Sequence, residues 1–268
     1  MADKTEFHAV SSGDNYVFTR DFLDNNRQDD LCVADVGTGT GQHGSVWLFD
    51  VREKLAPTAR LVGLDISFDA TPPVQTLPSN VTLRHWSVKE DVPEDLIGVF
   101  DIVHVRFFSF VLLVDDVPSV IDRLYKMLKG SQCVEPGGYL QWGDPDVESI
   151  RIDKANAEAK TESLAEMFKL LAVQDPRLKP TWVTNLPDLF SAAGFVDIEV
   201  DKNDCPPHWA YLLHECGLMI HELIYRKTKN EKMQQELGRL LPLAVEETRT
   251  GAYVTAVRWT VVGKKPAP

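Results

Sequence analysis

A carboxylate leads three alternating glycines in Asp35-Val36-Gly37-Thr38-Gly39-Thr40-Gly41, directly after the apolar run Leu31 to Ala34. A second carboxylate, Asp65, closes the next apolar run. Residues of these types in this order build a cofactor site. Glycines allow a tight turn in which backbone N–H groups approach a ligand where a side chain would collide, and the helix that follows presents its N-terminus to an anion.

Two other chemistries share parts of this pattern. Gly39-Thr40-Gly41-Gln42-His43-Gly44 is a literal GxGxxG, the fingerprint of a dinucleotide site. The alternation, however, begins at Gly37, at the strand end, and a dinucleotide count started there fails at Gln42. Tyr125 and Lys129 have the Tyr-x-x-x-Lys spacing of a dehydrogenase proton-transfer pair, but they lie one strand–helix unit too early. The Gly-x-x-x-x-Gly-Lys of a phosphate-binding P-loop is absent.

The elements that must position these residues alternate. Apolar runs at 31–36, 60–64, 81–84, 100–105, 139–142 and 195–200 read as strands, and 253–262 as a last strand antiparallel to its neighbour. Helical periodicity falls at 14–27, 45–55, 117–128, 155–171 and 186–193, with Gly194 capping the last. A Pro-rich stretch at 71–78 stands where a second long helix is expected, and a helical insertion spans 209–247. This predicts a single α/β domain over residues 1–268, Rossmann-like and doubly wound, with a seven-stranded sheet whose last strand is antiparallel. Its parts are an N-terminal lid (1–28), a cofactor-binding half (29–150) and helical cap insertions at 151–182 and 205–250.

Composition narrows the partners. The 268 residues are 44% apolar and 25% charged, and the net charge of −12 repels a phosphate backbone, so a small molecule rather than nucleic acid is expected. Four cysteines without CxxC spacing, and no pattern of metal ligands, suggest a reduced chain without a metal. No leader-like or membrane-spanning apolar run is seen, so a cytoplasmic location without membrane attachment is expected.

The DxGxGxG turn with its later acidic residue resembles class I S-adenosylmethionine-dependent methyltransferases. Further segments agree in order: Leu61-Val62-Gly63-Leu64-Asp65, Phe100-Asp101-Ile102-Val103-His104-Val105-Arg106, and Pro136-Gly137-Gly138-Tyr139-Leu140-Gln141-Trp142. Asn185 to Phe195 and Tyr253 to Lys265 are similar to the closing segments of fungal secondary-metabolite methyltransferases. The resemblance implies S-adenosyl-L-methionine as cofactor. Gly37, Thr38, Gly39, Gly41 and Gln42 would pass under its methionine part, Asp35 would face the ammonium, and Asp65 the ribose hydroxyls, with Ile66 beside it. Ser87 stands where many relatives carry an acidic residue for the adenine amine, and Trp86 either stacks on the purine or belongs to the core. Val105 and Arg106 would flank the methionine and the acceptor.

Methyl transfer is an in-line displacement in which alignment matters most, and a base is needed only when the nucleophile must lose a proton. The candidates are His43, His104, His208, His214 and His221, of which His214 and His221 lie two helical turns apart in the cap. Tyr16, Phe18, Phe107, Phe108, Trp142 and His214 are expected to line an acceptor pocket suited to an apolar or ring-containing metabolite. The expected activity is methylation of such a secondary metabolite, at oxygen or nitrogen. The alternative is a methyltransferase-fold regulator, or a non-methylating enzyme, that binds the same cofactor.

Overall fold

A computed structural model describes residues 30–39, 44–69, 71–109, 111–130, 137–172 and 180–266. The expected lid, with Tyr16 and Phe18, and the positions Gly41, Gln42 and His43 lie outside these residues. Strands β1 (Cys32–Val36), β2 (Arg60–Asp65), β3 (Val81–His85), β4 (Ile102–Arg106) and β5 (Tyr139–Pro145) run parallel. With β7 (Val196–Asp204) and β9 (Val257–Lys264) they form one seven-stranded sheet in the order β3-β2-β1-β4-β5-β9-β7. Strand β9 is antiparallel to both of its neighbours, as the sequence predicts. The order reverses between β1 and β4, and ligands of such sheets bind at that crevice, beyond the carboxyl ends of the strands.

Both faces are covered, which is why β1 is buried at every position. On one face Cys32, Ala34, Val36, Val103, Val105, Leu140 and Trp142 share a core with α2 (Val117–Met127) and α4 (Leu186–Ala192). On the other, Val33, Leu61 and Ile102 meet Trp47, Leu48 and Val51 of α1 (Gly44–Lys54). The segments expected as cap insertions, termed the cap, have a separate core, formed by α3 (Glu162–Ala172), α5 (Pro207–Lys227) and α6 (Glu231–Arg249) around Leu164, Met167, Leu237 and Leu240. Among the described residues no helix is long and apolar enough to cross a membrane.

The cap departs from the sequence expectation in three ways. The helix expected at 155–171 starts only at Glu162, because residues Arg151–Lys154 form strand β6, paired antiparallel with β8 (Ala252–Thr255). The insertion is two helices, separated at Thr228 and restarted by Asn230, whose side chain accepts the Met233 N–H at 3.1 Å. The closing strand is likewise divided, β8 serving the cap ribbon and β9 the main sheet.

Candidate active site

The glycine turn leaves β1 with a geometry that other residues resist. Gly37 and Gly39 both have φ of 69°, in the left-handed region, and an added Cβ at Gly37 would overlap the ring of Phe108. The Gly37 and Thr38 N–H groups donate to the Leu64 carbonyl at 2.8 and 3.2 Å. One residue later the Gly39 N–H donates to Asp65 Oδ2 at 2.7 Å. Asp65 Oδ1 accepts from the N–H groups of Ile66 and Ser67 at 2.7 and 3.1 Å. The carboxylate is half-buried; Oδ1 is taken up by two N–H groups, while Oδ2 has one donor and keeps acceptor capacity, so the side chain can clasp the turn and still accept from a hydroxyl. Ile66 is exposed beside it.

Asp35 points inward. It is 3% exposed, with Thr38 Oγ1 donating to Oδ2 at 2.8 Å and His104 Nδ1 lying 2.8 Å from Oδ1. His104 is buried too, its ring stacked on Trp47 at 3.8 Å between centroids and 8° between planes. The expected ammonium partner and one candidate base thus meet each other beneath the turn. Any part of His104 in proton transfer falls to Nε2, since Nδ1 is committed to Asp35.

Beyond β3, Trp86 belongs to the main core and its indole N–H donates to the Asp91 carbonyl at 3.1 Å. Of the two roles open for it in the sequence, the core role is the one observed. Ser87 is half-buried, and its Oγ accepts the Lys89 N–H at 3.2 Å.

The exit of β4 is held by a residue that sequence reasoning missed. Asp144, at the end of β5, is fully buried and accepts from the N–H groups of Phe108 and Ser109 at 3.1 and 3.0 Å, from the Trp142 indole N–H at 2.7 Å and from the Ser109 hydroxyl. Burial pushes its carboxyl up to about 6, against the pull of these four donors. Its anchoring holds the backbone next to Phe107, whose φ of 61° is left-handed without being glycine. The only advance signal was an acidic residue inside the apolar strand Tyr139–Pro145.

The expected pocket residues accordingly divide. Phe107 is exposed, with the Arg106 guanidinium 5.2 Å from its ring centroid, and stands at the open end of β4. Val105 is buried, Phe108 and Trp142 meet edge-to-face at 6.1 Å, and Trp142 packs against Trp182 at 5.5 Å. Phe108 and Trp142 therefore belong to the core, rather than offering faces to an acceptor as expected.

In the cap, His214 and His221 are both buried. His214 Nε2 lies 2.8 Å from Thr248 Oγ1, whose own proton goes to the Ala244 carbonyl at 2.8 Å, so Nε2 carries the hydrogen. His221 Nδ1 donates to the Gly217 carbonyl at 2.7 Å, and its ring lies 4.9 Å from that of Phe168. Among the described residues His214 Nδ1 and His221 Nε2 have no hydrogen-bond partner. Burial, and then the neighbouring His221, bring His214 down to about 4, and burial also lowers His221. Both are neutral at pH 7 and can accept a proton only at a cost. His208, by contrast, is exposed at the start of α5.

No family model matches the chain. Over 173 residues it is 35% identical to the N-methyltransferase verN of Clonostachys rogersoniana, a stretch covering 64% of this chain and 54% of that protein. Over 124 residues it is 35% identical to the methyltransferase grgD of a Penicillium species, covering 44% and 39% respectively. The chain thus spans about half the length, or less, of these curated relatives. Among solved structures, the YcgJ protein of Bacillus subtilis superposes with a TM-score of 0.51 at 15% identity, covering 90% of this chain and 94% of that one. Strand order, the antiparallel β9 and the turn after β1 agree with these likenesses: the chain has the class I S-adenosylmethionine-dependent methyltransferase fold and is a sequence relative of fungal methyltransferases.

Proposed function

We propose that the chain transfers a methyl group from S-adenosyl-L-methionine to a small apolar or aromatic metabolite. The observation that carries this reading is the clasp of Asp65 on Gly39 at the switch point of the sheet, a half-buried carboxylate beside a left-handed glycine turn. The residues present fit the cofactor: a left-handed turn at Gly37 and Gly39, a half-buried carboxylate at Asp65 whose Oδ2 keeps acceptor capacity, and an exposed apolar side chain at Ile66. When bound, the cofactor supplies an electrophilic methyl on a sulfonium. The turn orients its methionine part, Asp65 holds the ribose, and Ser87 offers its hydroxyl towards the adenine. Arg106 borders the reacting end, with Val105 behind it in the core rather than in contact as expected, and the exposed Phe107 marks the acceptor side.

Nitrogen is the favoured acceptor atom, because the relative verN is named an N-methyltransferase. A neutral amine attacks the methyl without a base, the C–S⁺ bond breaking to leave the neutral thioether, and the ammonium formed releases its proton to water, in keeping with two cap histidines that are buried and neutral. Calorimetry with S-adenosylmethionine and S-adenosylhomocysteine tests the first half of the reading, and absence of binding overturns it. Transfer of a labelled methyl group into a fungal metabolite extract tests the second half. Binding without transfer identifies a cofactor-holding regulator instead.

A further inference from the structure

Helix α5 is apolar on two sides. One side, with Ala210, His214, Leu218 and His221, faces the cap core. The other is turned outward: Trp209, Leu212, Met219 and Leu223 follow one another at heptad positions with Cys216 between them, and Leu213 and Ile220 widen the stripe. Trp209 is 56% exposed and Leu223 51%, with Leu212, Leu213, Met219 and Ile220 between 45% and 53%. Spacings of three and four residues over three layers are what a second helix packs against. We propose that this stripe is the contact surface of a homodimer, α5 of one copy lying antiparallel against α5 of the other.

Size, charge and self-complementarity select this occupant. From Trp209 to Leu223 the stripe runs about 21 Å at the α-helical rise, longer than a small acceptor can cover. A helix that lies on a membrane carries basic residues along its apolar face, whereas exposed Glu215 and Glu222 flank this one, and its basic residues Arg226 and Lys227 are confined to the last turn, with Arg226 paired to Glu222 at 2.5 Å. The exposed parts of its six large side chains amount to roughly 600 Å² per copy, so a pair can bury at most on the order of 1,200 Å², which reaches the lower bound for a specific interface. An antiparallel register sets Leu212 on the partner's Leu223 and Cys216 on the partner's Met219, with Trp209 over the Arg226–Glu222 ion pair of the other copy.

Sedimentation velocity of the full chain across the micromolar range tests the proposal. The expected result is a dimer whose dissociation constant rises about 100-fold in Leu212→Glu and in Met219→Glu, each placing an unpaired charge in the seam. Both positions are exposed in the single chain, so far-UV circular dichroism and melting temperature stay close to those of the parent. A chain that is monomeric throughout, as when its own N-terminal residues cover the stripe, overturns the proposal. So does a dimer indifferent to both substitutions.

Discussion

The Asp65 carboxylate takes the Gly39 N–H at 2.7 Å and thereby fastens the end of β2 to the glycine turn after β1. The same carboxylate is the proposed ribose ligand, so removing it acts on cofactor affinity directly and through the shape of the turn. Asp65→Ala is expected to weaken S-adenosylhomocysteine binding by about 1.5–3 kcal/mol, a factor of roughly 10 to 150 in calorimetry. Unchanged affinity would assign Asp65 to the turn alone.

Gly37 carries two constraints at once, a left-handed φ and a ring against its α-carbon. Gly37→Ala is expected to lose about 2–4 kcal/mol in urea unfolding, combining backbone strain with overpacking against Phe108. Gly98, also left-handed but with open space around it, provides the control: Gly98→Ala carries the backbone cost only, about 1 kcal/mol.

Asp144 and His214 give opposite pH signatures in one window. Asp144 is raised in the fold, so its contribution is fully present below about pH 4 and is lost as pH climbs through about 6. Relative to Asp144→Asn, the parent chain should therefore lose about 3 kcal/mol of stability between those values. His214 is depressed to about 4, so the unfolded chain binds the extra proton between about 4 and 6.5, and stability rises across that range. Relative to His214→Gln, the parent should gain stability as pH rises. Chemical denaturation at stepped pH, parent against each variant, separates the two slopes.

Glu247 of α6 closes the N-terminus of α3, accepting the N–H groups of Ser163 and Leu164 at 2.9 Å each. Glu247→Ala is expected to cost about 1–2 kcal/mol of stability, since it uncaps a helix and leaves buried donors unpaired. Glu247→Gln should recover part of this loss through its remaining oxygen.

The parts of the fold readable from sequence are those written in neighbouring residues. Buried parallel strands such as Cys32–Val36 are continuous apolar runs, and the turn after them needs glycine for reasons local to the backbone. The parts not readable depend on partners far along the chain. Arg151–Lys154 has one apolar residue in four and becomes a strand only because Ala252–Thr255 lies beside it. Glu247 looks like any surface glutamate of a helix until α3, more than eighty residues earlier, is brought to it. The aromatic residues Phe108 and Trp142 signalled a pocket by type, yet their burial is decided by Asp144 and Trp182, which no spacing connects to them.

Strand β4 is gripped at His104 by the carboxylate of Asp35 from β1, and at its exit by the carboxylate of Asp144 from β5. The proposed donor and acceptor sides of the crevice are thus registered to a single strand. On the proposed function, reshaping the β4 exit to change the acceptor would disturb the turn assigned to the donor. Helices α3, α5 and α6, with their own core and their own ribbon, are free of that coupling, and on the proposed function it is there that acceptor preference would diverge while the cofactor geometry stays fixed.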